Sequence, residues 1–303
     1  MGKIRDISLF VLVYGISMLP MPVLYLISDA LAFLVYSVIG YRKKVVMNNL
    51  AIAFPEKSLT ERKAIAKKFY RNFVDTMLES IKLLSTSDAR STKMFAGDVH
   101  ILQEAASKGK NVQIHAMHNF NWEVVNHGIA RELNIPFLGV YQPITNKFFD
   151  KVFKKMRSRY GTVMIPANDF KNNFIQYMDN RYVLALVADQ NPGHPARAFW
   201  VNFFGKPAPF VTGPEKAAKQ RDTIVVFANF YKIKRGVYKL ECEIATEDAT
   251  ALPHGELTLR YLKYLEDTIR KRPDNYLWSH RRWKHPYKPE YANSCLEKLN
   301  LPA

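Results

Sequence analysis

An almost uncharged stretch near the N-terminus constrains this chain more than any other feature of its sequence. Residues 7–39 contain a single charged side chain, Asp29, and Pro20-Met21-Pro22 divides them into two apolar segments. Proline removes a backbone donor and clashes with the preceding helical turn. Neither segment alone reaches the roughly 20 residues of a straight membrane span. The alternatives are therefore one kinked span or two helices lying partly in the membrane interface.

Basic residues flank this apolar stretch on both sides. Lys3 and Arg5 precede it, and the stronger cluster, Arg42-Lys43-Lys44, follows it together with the rest of the chain. Positive charge favours the cytoplasmic side of a membrane, so we expect the body of the protein there. The apolar run continues past the small-residue site Ala30-Leu31-Ala32, which argues against a cleaved signal peptide. A buried hairpin of a soluble protein is the other alternative.

Short apolar runs alternate with helical periods beyond residue 110. We expect strands at residues 112–117, 136–141, 162–166, 182–188, 223–231 and 238–245, and helices at residues 122–133, 148–160, 170–178, 214–221 and 256–272. This alternation predicts an α/β fold with a mixed, largely parallel sheet flanked by helices. Such folds carry their sites at the carboxyl ends of strands. We therefore interpret residues 1–44 as a hydrophobic membrane-anchoring segment and residues 45–303 as one α/β domain.

The charge of the chain indicates anionic partners. Its 44 Lys+Arg and 27 Asp+Glu give a net charge of +17, and an amphipathic helix predicted at residues 59–84 has a basic face. Anionic headgroups could meet that face. A membrane-tethered nucleic-acid-binding protein is the rival interpretation, although the sequence lacks RNP, KH and zinc-finger patterns. Two cysteines leave no room for a disulfide framework, and the histidines lack the further ligands of a metal site.

One strand end carries two groups suited to general-base catalysis. His118 follows the strand expected at residues 112–117, and Glu123 stands five residues later. If Asn119 or Asn121 caps the next helix, the Glu123 carboxylate could accept from one imidazole nitrogen and raise the basicity of the other. A structural histidine beside a capping glutamate is the alternative. A hydrolase is a further one, but there is no Gly-x-Ser-x-Gly sequence to supply its nucleophile.

The His-x4-Glu motif belongs to an ordered series of motifs. The others lie at residues 41–42 with 48–55, 141–146, 157–161, 188–192, 203–208, 211–213 with 217–218, and 278–283. In this order, over nearly the whole chain, the sequence resembles the bacterial lipid A biosynthesis (Kdo2-lipid late) acyltransferases of the HxxxxD/E superfamily. The resemblance implies a glycerol-3-phosphate acyltransferase-like fold. It also implies transfer of a fatty acyl chain from an acyl carrier protein or CoA thioester to a hydroxyl of a lipid A precursor or related glycolipid.

The resemblance further implies roles for individual residues. His118 takes the proton of the acceptor hydroxyl and Glu123 orients the imidazole. Arg159, with Arg157 as the second choice, stabilises the developing negative charge. Asp189 is expected to hold an arginine or a loop, and His280 is placed in a surface or headgroup-facing cluster. The substrate-binding residues are expected to be Arg157, Asn119, Asp189, Gln190, Phe204, Gly205, Thr212 and Gly213.

Partners follow from the same resemblance. They are acyl carrier protein, an anionic lipid or glycolipid acceptor and the surface of the bacterial inner membrane, with the catalytic domain on the cytoplasmic side. No nucleic acid, metal or cofactor is expected beyond the thioester co-substrate. The acceptor stays open, because related acyltransferases with this motif act on phosphatidylinositol mannosides, amino lipids or phospholipids.

Overall fold

A computed structural model describes residues 2–178 and 181–301 of the chain. Within these ranges the α-helices are α1 (Gly2–Met18), α2 (Met21–Phe33), α3 (Lys43–Ala53), α4 (Leu59–Lys82), α5 (Asp88–Lys93), α6 (Val99–Ser107), α7 (Trp122–Glu132), α8 (Lys147–Arg157), α9 (Phe170–Phe174), α10 (Gly213–Gln220) and α11 (Glu256–Lys271). The strands are β1 (Phe95–Gly97), β2 (Val112–Ala116), β3 (Phe137–Tyr141), β4 (Val163–Pro166), β5 (Val183–Val187), β6 (Phe199–Phe203), β7 (Lys206–Phe210), β8 (Ile224–Lys234) and β9 (Val237–Thr246).

The described residues form a seven-stranded sheet in the order β1-β9-β8-β2-β5-β3-β4. The β8–β9 hairpin is antiparallel and the other neighbours are parallel, so the predicted mixed, largely parallel sheet is confirmed. All six predicted strands are present. Beside them the structure has two unpredicted features, the short strand β1 and a separate β6–β7 hairpin. The predicted helix at residues 148–160 ends at Arg157, and this end determines the directions of the Arg157 and Arg159 side chains.

The central strand β2 explains why the sheet forms the core. All five of its residues are buried, as is usual for a strand covered by helices on both faces. His115 on this strand is 2% exposed, and burial lowers its pKa to about 3, so its imidazole is neutral. The Nε2 atom of His115 lies 2.6 Å from the Gln113 amide nitrogen. His115 is therefore part of the core.

Helix α4 connects the N-terminal helices to the body. It begins with a capping box, in which the backbone N–H of Glu61 donates to Ser58 Oγ and the Glu61 carboxylate accepts from the backbone N–H of Ser58. Helix α2 packs on α4 through polar contacts: Ser28 Oγ donates to Asp75 at 2.6 Å and Tyr25 donates to the Glu79 carboxylate at 2.9 Å. The N-terminal helices are thus attached to the α/β body.

The outer surfaces of α1 and α2 are apolar. Exposed side chains there include Leu12, Leu26 and Phe33, and Val38 is exposed in the π-helical turn that follows α2. Among the described residues, Met21–Ile39, which continues α2 through a π-helical turn at Leu34–Ile39, is the one helix long and apolar enough to cross a membrane. Its length and composition fit the predicted anchoring role of residues 1–44.

The contact between α7 and β1 makes a prediction about stability. A Cβ atom at Gly128 would lie 2.1–2.4 Å from three ring atoms of Phe95, so Gly128→Ala requires the buried ring to move. Overpacking costs about 1–3 kcal/mol, which exceeds the roughly 1 kcal/mol that alanine gains in helix propensity. Thermal unfolding should therefore show a lowered Tm. Gly15→Ala is the control, since a Cβ there meets nothing within 4 Å; equal melting of both variants would contradict the packing.

Candidate active site

The carboxyl ends of β2 and β5 bring His118 and Asp189 together. Ala116 pairs with Val187 in the parallel ladder, and each strand ends two residues before its polar side chain. Because the register continues past the ends of the strands, His118 and Asp189 lie side by side at the edge of the sheet. The His118 side chain is 26% exposed and that of Asp189 is 1% exposed. The edge therefore presents an accessible imidazole supported by a buried carboxylate.

Asp189 holds His118 with two hydrogen bonds. The backbone N–H of His118 donates to Asp189 Oδ2 at 3.2 Å, and the imidazole Nδ1 lies 2.7 Å from Oδ1. An ionised carboxylate only accepts, so Nδ1 carries the proton and Nε2 is the basic nitrogen. Burial lowers the pKa of His118, but the charge of Asp189 and its hydrogen bond outweigh burial and raise that pKa above its usual value. Burial raises the pKa of Asp189, whereas the interaction with His118 holds it below its usual range.

A segment at residues 275–283 packs against the backbone at His118 and Asn119. The backbone N–H of Leu277 donates to the His118 carbonyl at 3.0 Å, and Tyr276 forms an isolated β-bridge with Asn119. The His280 ring lies parallel to the His118 ring, with centroids 6.3 Å apart. Burial lowers the pKa of His280 to about 4, so it adds no positive charge beside His118 at neutral pH. The prediction of His280 in a surface or headgroup-facing cluster is wrong, because this segment folds under the sheet edge.

Arg282 is a fully buried guanidinium near the same carboxylate. It is 1% exposed, lies over the Phe210 ring at 3.8 Å, and donates to Asn191 Oδ1 and to the Pro209 carbonyl. The charge of Arg282 also lowers the pKa of Asp189. Asp189 was expected to hold an arginine or a loop, but its hydrogen bonds go to His118, and Arg282 acts on it through charge alone. Asp189 therefore faces one cation and one imidazole in a buried setting.

Glu123 has a different partner from the predicted one. Asn121 caps α7 by accepting from the backbone N–H groups of Glu123 and Val124, and this places Glu123 in the first turn, as expected. The Glu123 carboxylate, however, accepts from Arg157 Nε at 3.0 Å and Nη2 at 2.5 Å, and from Trp122 Nε1 at 3.1 Å. The predicted contact of Glu123 with the imidazole is wrong. The start of α7 turns this side chain toward α8, where the planar guanidinium of Arg157 matches it.

Arg159 lies away from the predicted position. Its guanidinium donates to the Thr86 carbonyl at 2.7 Å and to the exposed Asp88 carboxylate at 2.8 Å. Helix α8 ends at Arg157, so Arg157 faces α7 from the last helical turn, whereas Arg159 lies in the following turn and points to the loop before α5. Of these two arginines, Arg157 lines the cavity at His118 and Arg159 does not.

The other predicted binding residues divide into two groups. Gln190 and Gly213 line the cavity described below, together with Arg157. Asn119 is 1% exposed and its amide donates to Asn229 at 2.7 Å, so its role is structural. Phe204 and Gly205 form the turn of the β6–β7 hairpin, where both have positive φ.

Packing and helix starts explain the remaining positions. The Phe204 ring packs on Phe54, with centroids 5.8 Å apart, and neither Phe204 nor Gly205 lines the cavity at His118. Thr212 immediately precedes α10 and makes no side-chain cap. Of Phe204, Gly205, Thr212 and Gly213, Gly213 alone lines the cavity at His118.

A cavity of about 850 Å³ opens at His118. Small side chains on one face of the sheet make room for it: Gly139 pairs with Ala185, and Ala116 pairs with Ala228 in the next row. One row nearer the amino ends the paired side chains Phe137, Val183, Val112 and Ile224 are larger, and Phe137 among them lines the cavity. Since Val125 and Ile129 of α7 cover this part, we call it the α7 lobe.

The cavity also extends across β5 to the opposite face of the sheet. Leu184 and Leu186 alternate with Ala185 along β5 and line the cavity from that face, together with Phe170 and Ala217 of α9 and α10. We call this part the α10 lobe. The two lobes meet at the carboxyl edge, where His118, Gln190 and Asn191 line the wall. One imidazole is thus accessible from two largely apolar spaces.

The sequence reasoning missed Arg282, Asn191 and the supporting role of His280. Their signal lay in two of the matched motifs, at residues 188–192 and 278–283, and a third motif contacts the second of these. Asn49, in the motif at residues 48–55, donates to the carbonyls of Trp278 and His280 at 2.8 and 2.7 Å and so holds the segment behind His118. Two motifs far apart in the sequence therefore build one wall of the site.

Comparison with known proteins assigns the family. The model of the bacterial lipid A biosynthesis acyltransferases matches residues 6–285. The chain belongs to this family. The lipid A biosynthesis lauroyltransferase of Escherichia coli K12 is 26% identical over 272 residues, which cover 88% of this chain and 87% of that protein. The palmitoleoyltransferase of the same strain is 23% identical over 276 residues, 88% of this chain and 86% of its own length.

A further member of the family has a similar extent of likeness. The lipid A biosynthesis acyltransferase of Haemophilus influenzae is 23% identical over 272 residues, which cover 88% of this chain and 86% of that protein. The match to the family model over residues 6–285 includes the apolar N-terminal helices and the edge of the sheet that carries His118. This lipid A acyltransferase family member is therefore an enzyme that transfers acyl groups.

Proposed function

We propose that this lipid A acyltransferase family member moves a fatty acyl chain from an acyl carrier protein thioester to a hydroxyl of a lipid A precursor. The observation that supports this most is the position of His118. Its Nε2 atom is left free at a cavity of about 850 Å³, while its Nδ1 atom is held by the buried Asp189. A positioned base beside an apolar cavity is what direct acyl transfer to a hydroxyl requires.

The proposed reaction uses no covalent acyl-enzyme. Nε2 of His118 takes the proton of the acceptor hydroxyl as its oxygen attacks the thioester carbon. The tetrahedral intermediate then collapses, the carbon–sulfur bond breaks, and the imidazolium returns the proton to the departing thiolate. Asp189 stabilises the imidazolium between the two steps, in the manner of the carboxylate of a catalytic triad. This scheme needs no cofactor beyond the thioester co-substrate.

Arg157 takes the proposed role of the cation. Its Nε and Nη2 atoms bond Glu123, and the part of the chain that the structure describes offers no acceptor to Nη1. The Arg157 side chain is 18% exposed and lines the cavity, so Nη1 can face the carbonyl oxygen or an acceptor phosphate. A preorganised guanidinium stabilises charge there without reorganising. Glu123 is then the residue that holds Arg157 in place.

The α7 lobe is the proposed site for the acyl chain. Its inner walls are apolar and Phe137 lies at its inner end, whereas the α10 lobe ends near Arg221. A large apolar side chain in this position limits the length of a bound chain. Two lobes on opposite faces of the sheet also give the donor and the acceptor separate approaches to His118.

Filling the α7 lobe should change chain-length selectivity. Ala185→Leu adds a larger side chain beside Gly139, so we expect the preferred acyl chain to shorten by two carbons or more, about the reach of the added branch. Mass spectrometry of products from a mixture of acyl carrier protein thioesters measures the shift. Ala217→Leu in the α10 lobe is the matched control and should keep the parent's preference. The reverse pattern would move the acyl chain to the α10 lobe.

The N-terminal helices and the net charge fit an enzyme of the inner membrane surface, with the catalytic domain on the cytoplasmic side. Exposed apolar residues cover α1 and α2, and Arg42, Lys43 and Lys44 follow them. Apolar insertion combined with basic residues suits an anionic membrane surface. The remaining positive charge would favour the encounter with an acidic carrier protein. Both partners are part of the proposal.

The proposal is tested by assaying the purified protein with lipid A precursor and with acyl carrier protein or CoA thioesters. We expect transfer from the carrier protein thioester and a loss of at least about 10²-fold with His118→Ala, the usual contribution of a general base. His100→Ala is the control, because His100 is exposed on α6. Equal activity of His118→Ala and the parent, or transfer to none of the lipids tested, would overturn the assignment.

A further inference from the structure

We propose that Glu79 is a positioning residue that fixes the turn after His118 and connects it to helix α2. This inference rests on the proposed function, since it concerns the geometry of the same site. Glu79 lies on α4 and is 1% exposed, which is unusual for a carboxylate. Buried charges persist where hydrogen bonds replace the lost water, so the contacts of Glu79 show what it holds.

Four donors surround the Glu79 carboxylate. Oε1 accepts from the Tyr25 hydroxyl at 2.9 Å and from the backbone N–H of Gly236 at 3.0 Å. Oε2 accepts from the Asn121 amide at 3.2 Å and from the Tyr238 hydroxyl at 2.5 Å. Four donors match the roughly four lone-pair sites of a carboxylate. Glu79 therefore ties together α2, the β8–β9 turn and the cap of α7.

The contact with Asn121 determines the orientation of that side chain. Asn121 is 0% exposed, and because its Nδ2 atom donates to Glu79, its Oδ1 atom is directed to the backbone N–H groups of Glu123 and Val124. A flipped amide would present a donor to two donors. Glu79 thus sets the cap that starts α7, and α7 in turn places Glu123 against Arg157.

The contacts form one continuous chain from the apolar helix to the cavity. The Tyr25 hydroxyl of α2 donates to the Glu79 carboxylate, which also accepts from the Asn121 amide. The Asn121 side-chain oxygen accepts from the backbone N–H of Glu123, and the Glu123 carboxylate accepts from Arg157. A displacement of the reacting groups by about 1 Å can lower the rate about 10²-fold. A shift of α2 against α4 would therefore reach the cavity through this chain.

A reversal of donor and acceptor tests the central contact. Asn121→Asp keeps a good helix cap but puts two carboxylates in contact, so we expect kcat to fall by about 10- to 100-fold with little change in KM. Glu79→Gln places an amide nitrogen against either the Gly236 N–H or the Asn121 amide, and should also lower kcat. In the double variant Glu79→Gln/Asn121→Asp the amide can donate to the carboxylate. We expect kcat to return to within about threefold of the parent.

The same double variant has a readout that does not depend on activity. We expect Tm to fall in each single variant and to recover in the double variant, because the donor–acceptor match is restored. Absence of acyl transfer by the parent would defeat the proposed function and leave the Tm comparison valid. If the double variant loses as much kcat and as much Tm as the two single variants together, the proposed role of Glu79 is overturned.

The connection to α2 is tested by a matched pair of variants on that helix. Tyr25→Phe removes the hydrogen bond to Glu79, whereas Ser28→Ala removes the neighbouring bond from α2 to Asp75. Within the described residues the other hydrogen bonds of Asp75 go to Lys232 and Arg235 and not to Asn121. On vesicles containing anionic phospholipid, Tyr25→Phe should lower kcat several-fold more than Ser28→Ala. Equal effects of the two variants would limit Glu79 to positioning Asn121 and overturn the connection to α2.

Discussion

Replacing Asp189 with asparagine is expected to lower kcat on the order of 10³–10⁴-fold while the protein stays folded. Asparagine keeps the shape of the side chain, but it can present a donor to Nδ1 of His118 where the carboxylate only accepts. The imidazole would then favour the tautomer with the proton on Nε2, and the base would be lost. The measurement is the steady-state rate of acyl transfer, with Tm as the check on folding.

The pH dependence gives this prediction a second readout. His118 acts as a base only when neutral, so kcat/KM should rise with pH through its pKa, which Asp189 raises above the usual value. Without that carboxylate the pKa falls, so the acidic limb should move to lower pH in Asp189→Asn. Glu123→Gln is the control and should leave the limb unmoved, because Glu123 bonds Arg157. An acidic limb that moves in Glu123→Gln and stays in place in Asp189→Asn would instead assign the orientation of the His118 imidazole to Glu123.

Replacing Arg157 with alanine is the second change with a large expected effect. The substitution leaves the 4% exposed Glu123 side chain without its cation, and breaking a buried pair costs about 3 kcal/mol, the lower end of its range, because Arg157 itself is 18% exposed. The proposed loss of Nη1 from the cavity should also lower kcat by about 10²-fold. Chemical unfolding gives the first quantity and the acyl transfer assay gives the second.

Arg159→Ala is the matched control for this variant. Arg159 stands two residues further along the chain, pairs with Asp88 at the surface and donates to the Thr86 carbonyl, so its loss should leave kcat close to that of the parent and cost less stability than Arg157→Ala. Equal losses in the two variants would contradict the division of roles between them. A larger loss of kcat in Arg159→Ala than in Arg157→Ala would support the sequence-based prediction that Arg159 is the cation at the site.

The sequence could predict what depends on local order. The apolar runs indicated the strands, the asparagines before Trp122 indicated the start of α7, and His118 was correctly placed at a strand end. Such features depend on residues a few positions apart. The ordered motifs also indicated the family, because their order over nearly the whole chain is more specific than any one of them.

The partners of the site residues could not be predicted in this way. His118 and Asp189 are 71 positions apart, and their contact depends on the register between β2 and β5. The choice between Arg157 and Arg159 depended on where α8 ends, which a helical pattern leaves uncertain by a few residues. Two prolines in β7 make the β6–β7 hairpin resemble a loop in the sequence, so the hairpin was not predicted.

The most direct test of the account is nitrogen-15 NMR of the His118 imidazole across pH, in the parent, Asp189→Asn and Glu123→Gln. For the parent we predict a proton on Nδ1, an unprotonated Nε2 at high pH and a pKa above the usual value of a histidine. The pKa should fall in Asp189→Asn and stay in place in Glu123→Gln. A pKa that falls with the loss of the Glu123 carboxylate and is unchanged by Asp189→Asn would contradict the assignment of Asp189 as the residue that orients the base.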